Sequence, residues 1–112
     1  ALRQMAGMRD LYNDVARIFP DDARTHLAAC REQLAIPDFP AAMRAAHSIK
    51  GMAASIGAPQ LRALALSAET ACKQNDAAAA LAALPALDAE LAAVEAELNA
   101  YLASPAAQLD NT

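Results

Sequence analysis

Residues 39–58 read Phe-Pro-Ala-Ala-Met-Arg-Ala-Ala-His-Ser-Ile-Lys-Gly-Met-Ala-Ala-Ser-Ile-Gly-Ala. Within them Ala42, Ala46, Ile49, Ala53 and Ile56 recur at spacings of 4, 3, 4 and 3. That is the seam of a helix packed nearly parallel to its neighbours. Asp38 stands just before Phe39-Pro40, a start signal with proline in the first turn. Gly57 is a natural C-terminal cap. The stretch therefore predicts a helix over about 39–56.

The same pattern extends on both sides. Ala58-Pro59 restarts the chain, and a helix over about 59–74 buries Leu61, Leu64, Ala65, Ala68 and Cys72. Asn75-Asp76 breaks it, and Asp76 can cap the next helix, over about 77–102. There Leu84, Leu87, Leu91, Val94, Leu98 and Tyr101 form a second seam, which Pro85 should kink or shorten by a first turn. Toward the N-terminus, Met8, Leu11, Tyr12, Val15, Ile18 and Phe19 mark one apolar face, and Pro20 should end or bend that helix. Asp21 and Asp22 can cap a further helix carrying Leu27, Cys30 and Leu34, closed by Ile36-Pro37. Short links force neighbours to run antiparallel. The expected fold is all-α: an antiparallel up-down four-helix bundle with a short additional N-terminal helix over residues 1–103, then a flexible C-terminal tail over 104–112.

Composition agrees. The 112 residues suffice for one domain and include 33 Ala and 14 Leu against 3 Gly, a strongly helix-forming balance. The formal net charge of −4 argues against a nucleic-acid module, which would carry a basic face. No uninterrupted apolar run reaches the roughly 18 residues of a membrane span, and no signal peptide is visible, so direct membrane insertion is not expected. The chain starts with Ala, which favours an excised piece of a larger protein over a free-standing one. Cys30 and Cys72 fall at apolar helical positions and read as reduced core residues. Met5, Met8, Met43 and Met52 form no cofactor-like arrangement. His26 and His47 lie on different helices with no cysteine at ligand spacing, so no metal site is expected. No glycine-rich phosphate loop is present, so the chain should neither bind ATP nor act as a kinase by itself.

Packing leaves one stretch unexplained, Ala46-His47-Ser48-Ile49-Lys50-Gly51. His47 is one position past the seam and points roughly 100° away from the core line. Met43, Arg44, Lys50, Gly51 and Ala54 border it at helical spacing. A mid-helix glycine costs roughly 1 kcal/mol relative to alanine. Alanine fills most small positions of this chain, so Gly51 suggests that another backbone or a bulky group comes close there. A neutral imidazole offers one ring nitrogen as nucleophile to a phosphoryl group, and Arg44 and Lys50 could offset the phosphate charge. The other nitrogen needs an acceptor, and Glu69 on the following helix is the candidate if the two helices are in register. A lone surface histidine is more often only solvated. His26, without Gly or Lys partners at helical spacing, is that ordinary case.

These residues resemble the histidine-containing phosphotransfer (HPt) domain family, whose His-x-x-Lys-Gly motif stands here as His47, Ser48, Ile49, Lys50 and Gly51. The flanks Ala-Ser-Ile-Gly-Ala at 54–58, Leu61, Leu64, Glu69 and Asn75-Asp76 match as well, and the likeness covers roughly residues 8–102. It implies a phosphorelay intermediate of two-component signalling. His47 would accept a phosphoryl group from a receiver domain's aspartyl phosphate, on the nitrogen distal from the backbone, and pass it to the Asp of a response regulator. Lys50 would orient the phosphate. Gly51 would admit the receiver's loops, and Arg44, Met43, Met52, Ala54 and Ser55 would border the docking surface. The Mg²⁺ of the reaction would sit on the receiver, so no cofactor is expected on this chain. A monomeric cytoplasmic domain is implied, either free or as the cytoplasmic part of a membrane-bound bacterial sensor kinase. Met52 departs from the small or polar residue often found there. The phosphotransfer domain of a chemotaxis-type histidine kinase would suit the motif too, as would a phosphate-independent receiver-binding module. A structural bundle with an accidental motif is the remaining alternative.

Overall fold

In the computed structural model, residues 2–108 are described, with side chains from residue 7 onward. The chain forms α1 (Leu2–Ala35), α2 (Phe39–Ile56), α3 (Pro59–Lys73), α4 (Ala77–Leu102) and α5 (Pro105–Gln108), with no strand among the described residues. Helix α1 packs on α2 and α4, and α3 packs on the same two, the cyclic order of an antiparallel bundle. The turns follow from local chemistry. Asp38 Oδ1 accepts the Ala41 N–H at 3.1 Å to open α2, and Gly57 closes it with φ 77°. Asn75 takes the left-handed φ of 56° after α3. Asp76 Oδ1 accepts the Ala79 N–H at 3.0 Å to open α4.

The core is a ladder of small and large side chains. On α2, Ala42, Ala46, Ile49, Ala53 and Ile56 are buried, and on α3 Leu61, Ala65, Ala68 and Cys72. Leu64 is only half-buried. So much alanine between α2 and α3 permits close axes, near the lower end of the roughly 8–10 Å range. Cys30 and Cys72 are free and buried, and burial pushes the Cys30 thiol up to about 11. Helix α4 buries Leu84, Leu87, Leu91, Val94 and Leu98 and runs unbroken through Pro85. By length and composition it is apolar enough to cross a membrane, with a mean hydropathy of 1.6, yet its leucine seam is packed inside the bundle.

Three expectations require correction. The helix expected to stop at Pro20 and the next one are a single helix, α1, with Pro20 inside it, so there is no separate N-terminal helix. Ala16, Phe19, Ala23, Leu27, Cys30 and Leu34 make one buried line that passes the proline without a break. Burial on both sides, with roughly 1.5–3 kcal/mol for each large side chain, outweighs the roughly 3 kcal/mol that an interior proline costs. The apolar face assigned to the start of α1 is also turned. Met8, Leu11 and Ile18 are 70%, 65% and 60% exposed, whereas Asn13, Ala16 and Phe19 face inward. Lastly, part of the expected flexible tail is ordered: Pro105–Gln108 form α5, Ala107 is buried, and its carbonyl accepts the Asn13 Nδ2–H at 2.9 Å. Residues 109–112 of that tail, and the Met5 side chain, lie outside the described residues.

Helix α1 is the long element. Its 34 residues span about 51 Å at about 1.5 Å per residue, the length of the whole molecule, 51 Å. Tyr12 is level with the end of α2, donating from its hydroxyl to the Ile56 carbonyl at 3.2 Å. It also meets the Tyr101 ring edge-on, with centroids 5.4 Å apart.

Candidate functional site

The middle of α2 carries the site. Because Ala46 and Ile49 are fixed in the core, His47 and Lys50 are turned toward the α2–α3 edge. The antiparallel register brings Glu69 of α3 level with His47. His47 Nδ1 lies 2.6 Å from Glu69 Oε2, and Lys50 Nζ donates to Glu69 Oε1 at 2.7 Å. Exposure grades steeply across the trio: the His47 side chain is 64% exposed, Lys50 20% and Glu69 3%. The reactive ring stands in solvent while its support is buried.

The electrostatics assign the proton. Burial pushes the Glu69 carboxyl up, but the hydrogen bonds from Lys50 and His47 and the charges of Lys50 and Lys73 pull it down, and the net result lies below the ordinary carboxylate range. Glu69 is thus ionised at neutral pH and only accepts hydrogen bonds. The hydrogen on the ring must then sit on Nδ1, donated to Glu69, and in the neutral ring Nε2 keeps its lone pair. This is a charge-assisted contact of the strong kind.

The other anticipated residues divide. Met43, Arg44, His47 and Ser48 of α2 line a groove of about 470 Å³ together with Glu69 and Lys73 of α3. Ser48 donates its hydroxyl to the Arg44 carbonyl at 3.0 Å. Met52 and Ser55 lie on the opposite flank of α2, in a groove with Val15, Ile18, Asp22 and His26 of α1. Met43 and Met52 are therefore on different sides of the histidine. Ala54 and Gly51 are exposed. A Cβ added to Gly51 would meet no atom within 4 Å, so nothing in this chain requires glycine there. Lys73 escaped the sequence reading, and Met8, Leu11 and Ile18, expected on a buried face, are exposed. Lys73 follows Glu69 by one helical turn, and that spacing was its signal. Among the described residues no group of three His, Cys, Asp or Glu side chains could hold a metal ion.

The bundle thus presents an exposed imidazole backed by a buried carboxylate. The family model described as Hpt domain matches residues 14–97, three quarters of the chain. The chain belongs to the Hpt domain family, and its function is phosphotransfer in two-component phosphorelays, in which such domains interact with receiver domains. No curated protein and no solved structure matches the chain.

Proposed function

We propose that His47 is the phosphoryl carrier, loaded from the aspartyl phosphate of one receiver domain and unloaded onto the Asp of a response regulator. The observation that carries this reading is the pairing of an exposed ring with a buried carboxylate: Nδ1 is held at 2.6 Å by Glu69 while the side chain is 64% exposed. The Nε2 lone pair attacks phosphorus, the bond from phosphorus to the aspartyl oxygen breaks, and the electron pair leaves with the carboxylate. The ring becomes positively charged as the P–N bond forms, and Glu69, still accepting the Nδ1 proton, stabilises that charge. Unloading reverses the steps. Lys50 keeps Glu69 ionised and in place. Gly51 leaves open surface beside the ring, and Met43, Arg44, Met52, Ala54 and Ser55 border the surface on which the receiver lands. The divalent cation of the reaction is the receiver's, and the chain works as a monomer in the cytoplasm, free or as part of a sensor kinase.

Glu69 also favours a second reading, the phosphotransfer domain of a chemotaxis-type histidine kinase with ATP as donor. An acyl phosphate is already activated, whereas attack on the γ-phosphate of ATP leans more on the nucleophile, and the Glu69 carboxylate at Nδ1 stabilises the positive charge that the ring gains as it attacks. One assay tests both. The protein is mixed either with a phosphorylated receiver or with an ATP-charged kinase core, and acid-labile phosphate is followed on wild type and His47→Gln. Label on wild type alone, with unchanged helical content, supports His47, and the faster donor decides between the readings. Label retained by His47→Gln overturns both.

A further inference from the structure

The groove at His47 contains two cations, and neither of them is Lys50. Arg44 and Lys73 line it, together with Met43, Ser48 and Glu69. Both are exposed, and neither side chain makes an ion pair or hydrogen bond among the described residues. Lys73 also borders a second groove, shared with Met43, Phe39 and Asn75, so it stands where the two depressions meet. Lys50 is placed differently. It approaches Glu69 from the next turn of α2, is four-fifths buried on its side chain, and is bonded to Oε1 at 2.7 Å.

A phosphoryl group on Nε2 brings up to two negative charges to a ring already backed by the Glu69 carboxylate. That repulsion needs cations which are free to move onto the phosphoryl oxygens. Lys50 cannot leave without stripping a buried carboxylate of its main partner. Arg44 and Lys73 have long, unengaged stems, one on each wall of the groove. The charge of Lys73 already acts on Glu69. The geometry points to Arg44 and Lys73 as the clamp on the phosphoryl group of His47, with Lys50 as a positioning residue that acts through Glu69. This division of labour rests on the phosphohistidine reading above.

The test loads the protein without a partner. Phosphoramidate donates its phosphoryl group to Nε2, the P–N bond to ammonia breaks, and ammonia leaves. The ³¹P resonance of the product is then followed with pH and with time. Cations on the phosphoryl oxygens lower the group's titration midpoint and slow its hydrolysis. Lys73→Ala and Arg44→Ala are expected to raise that midpoint and to shorten the phosphohistidine half-life by about three- to ten-fold, while Lys73→Arg restores both. Lys50→Ala is expected to leave the phosphoryl midpoint in place and to shift the Nδ1 proton resonance of the unphosphorylated ring. A midpoint moved by Lys50→Ala but not by Lys73→Ala overturns the clamp alone. Wild type that takes no phosphate on His47 overturns the clamp together with the reading on which it rests.

Discussion

Glu69 Oε2 stands 2.6 Å from His47 Nδ1, yet the Glu69 side chain is only 3% exposed whereas the imidazole is 64% exposed. The carboxylate is fixed by its surroundings and the ring is fixed by the carboxylate. The nucleophile is therefore oriented before any partner arrives, and the ordering entropy of one side chain is removed from the encounter.

The pair makes stability depend on acid. The Glu69 carboxyl is held below its ordinary value, so its contribution is fully present above the unfolded value of about 4.3 and is lost as pH falls through the lower folded value. Urea denaturation near neutrality and at successively lower pH measures this. Wild type should lose more stability on acidification than Glu69→Gln, which cannot titrate at that position.

Removing Lys50 leaves the same carboxylate with its His47 contact alone. Lys50→Met should lower unfolding stability by about 1–3 kcal/mol at pH 7. The double substitution with Glu69→Gln should recover part of that loss, because no buried charge then lacks its partner. A denaturation cycle over the four proteins gives the coupling directly.

Gly51 separates stability from transfer. Its surroundings are empty to 4 Å, so Gly51→Ala should stabilise the fold by about 0.5–1 kcal/mol. Gly51→Leu should fold equally well but slow transfer from a receiver by about ten-fold or more, because a small misplacement of the reacting groups is costly. Stopped-flow transfer rates beside thermal melts check both halves. Equal transfer rates would show that the open surface is not used.

Pro20 is carried inside α1 at a cost, since Ala16 loses its helical donor there. Pro20→Ala should raise stability by about 2 kcal/mol, after allowing for the greater freedom of the unfolded chain. Denaturant midpoints measure the gain, and transfer rates should not change.

How much was legible depended on how far an element's own residues determine its surroundings. Helix α2 was readable from its seam and both caps, because Ala42, Ile49, Asp38 and Gly57 all act locally. Only the first half of α1 departs from its pattern, because its buried line there consists of Asn13, Ala16 and Ala23 around Phe19, whereas Leu27, Cys30 and Leu34 farther on are buried as their spacing predicts. A reading that ranks positions by apolar size chose the larger Met8, Leu11 and Ile18 instead, which lie outside. Pro20 gave a correct local signal that packing overrode. Glu69 could be named because one antiparallel register suffices to place it beside His47. Lys73 lies one turn beyond Glu69 on the same helix, outside the range that neighbours of His47 on α2 define. Helix α5 had no periodicity to detect, since a contact across most of the chain holds it to Asn13.

The Asn13–Ala107 contact, the Tyr12–Tyr101 pair and the α2–α3 turn all gather at one end of the four-helix bundle, about three turns inward from the start of α1. The first and last described helices meet there, whereas His47 opens sideways from the shaft. A tether fastened at that end of the bundle would act as a handle. It could swing the domain between successive visitors without ever crossing the face they touch.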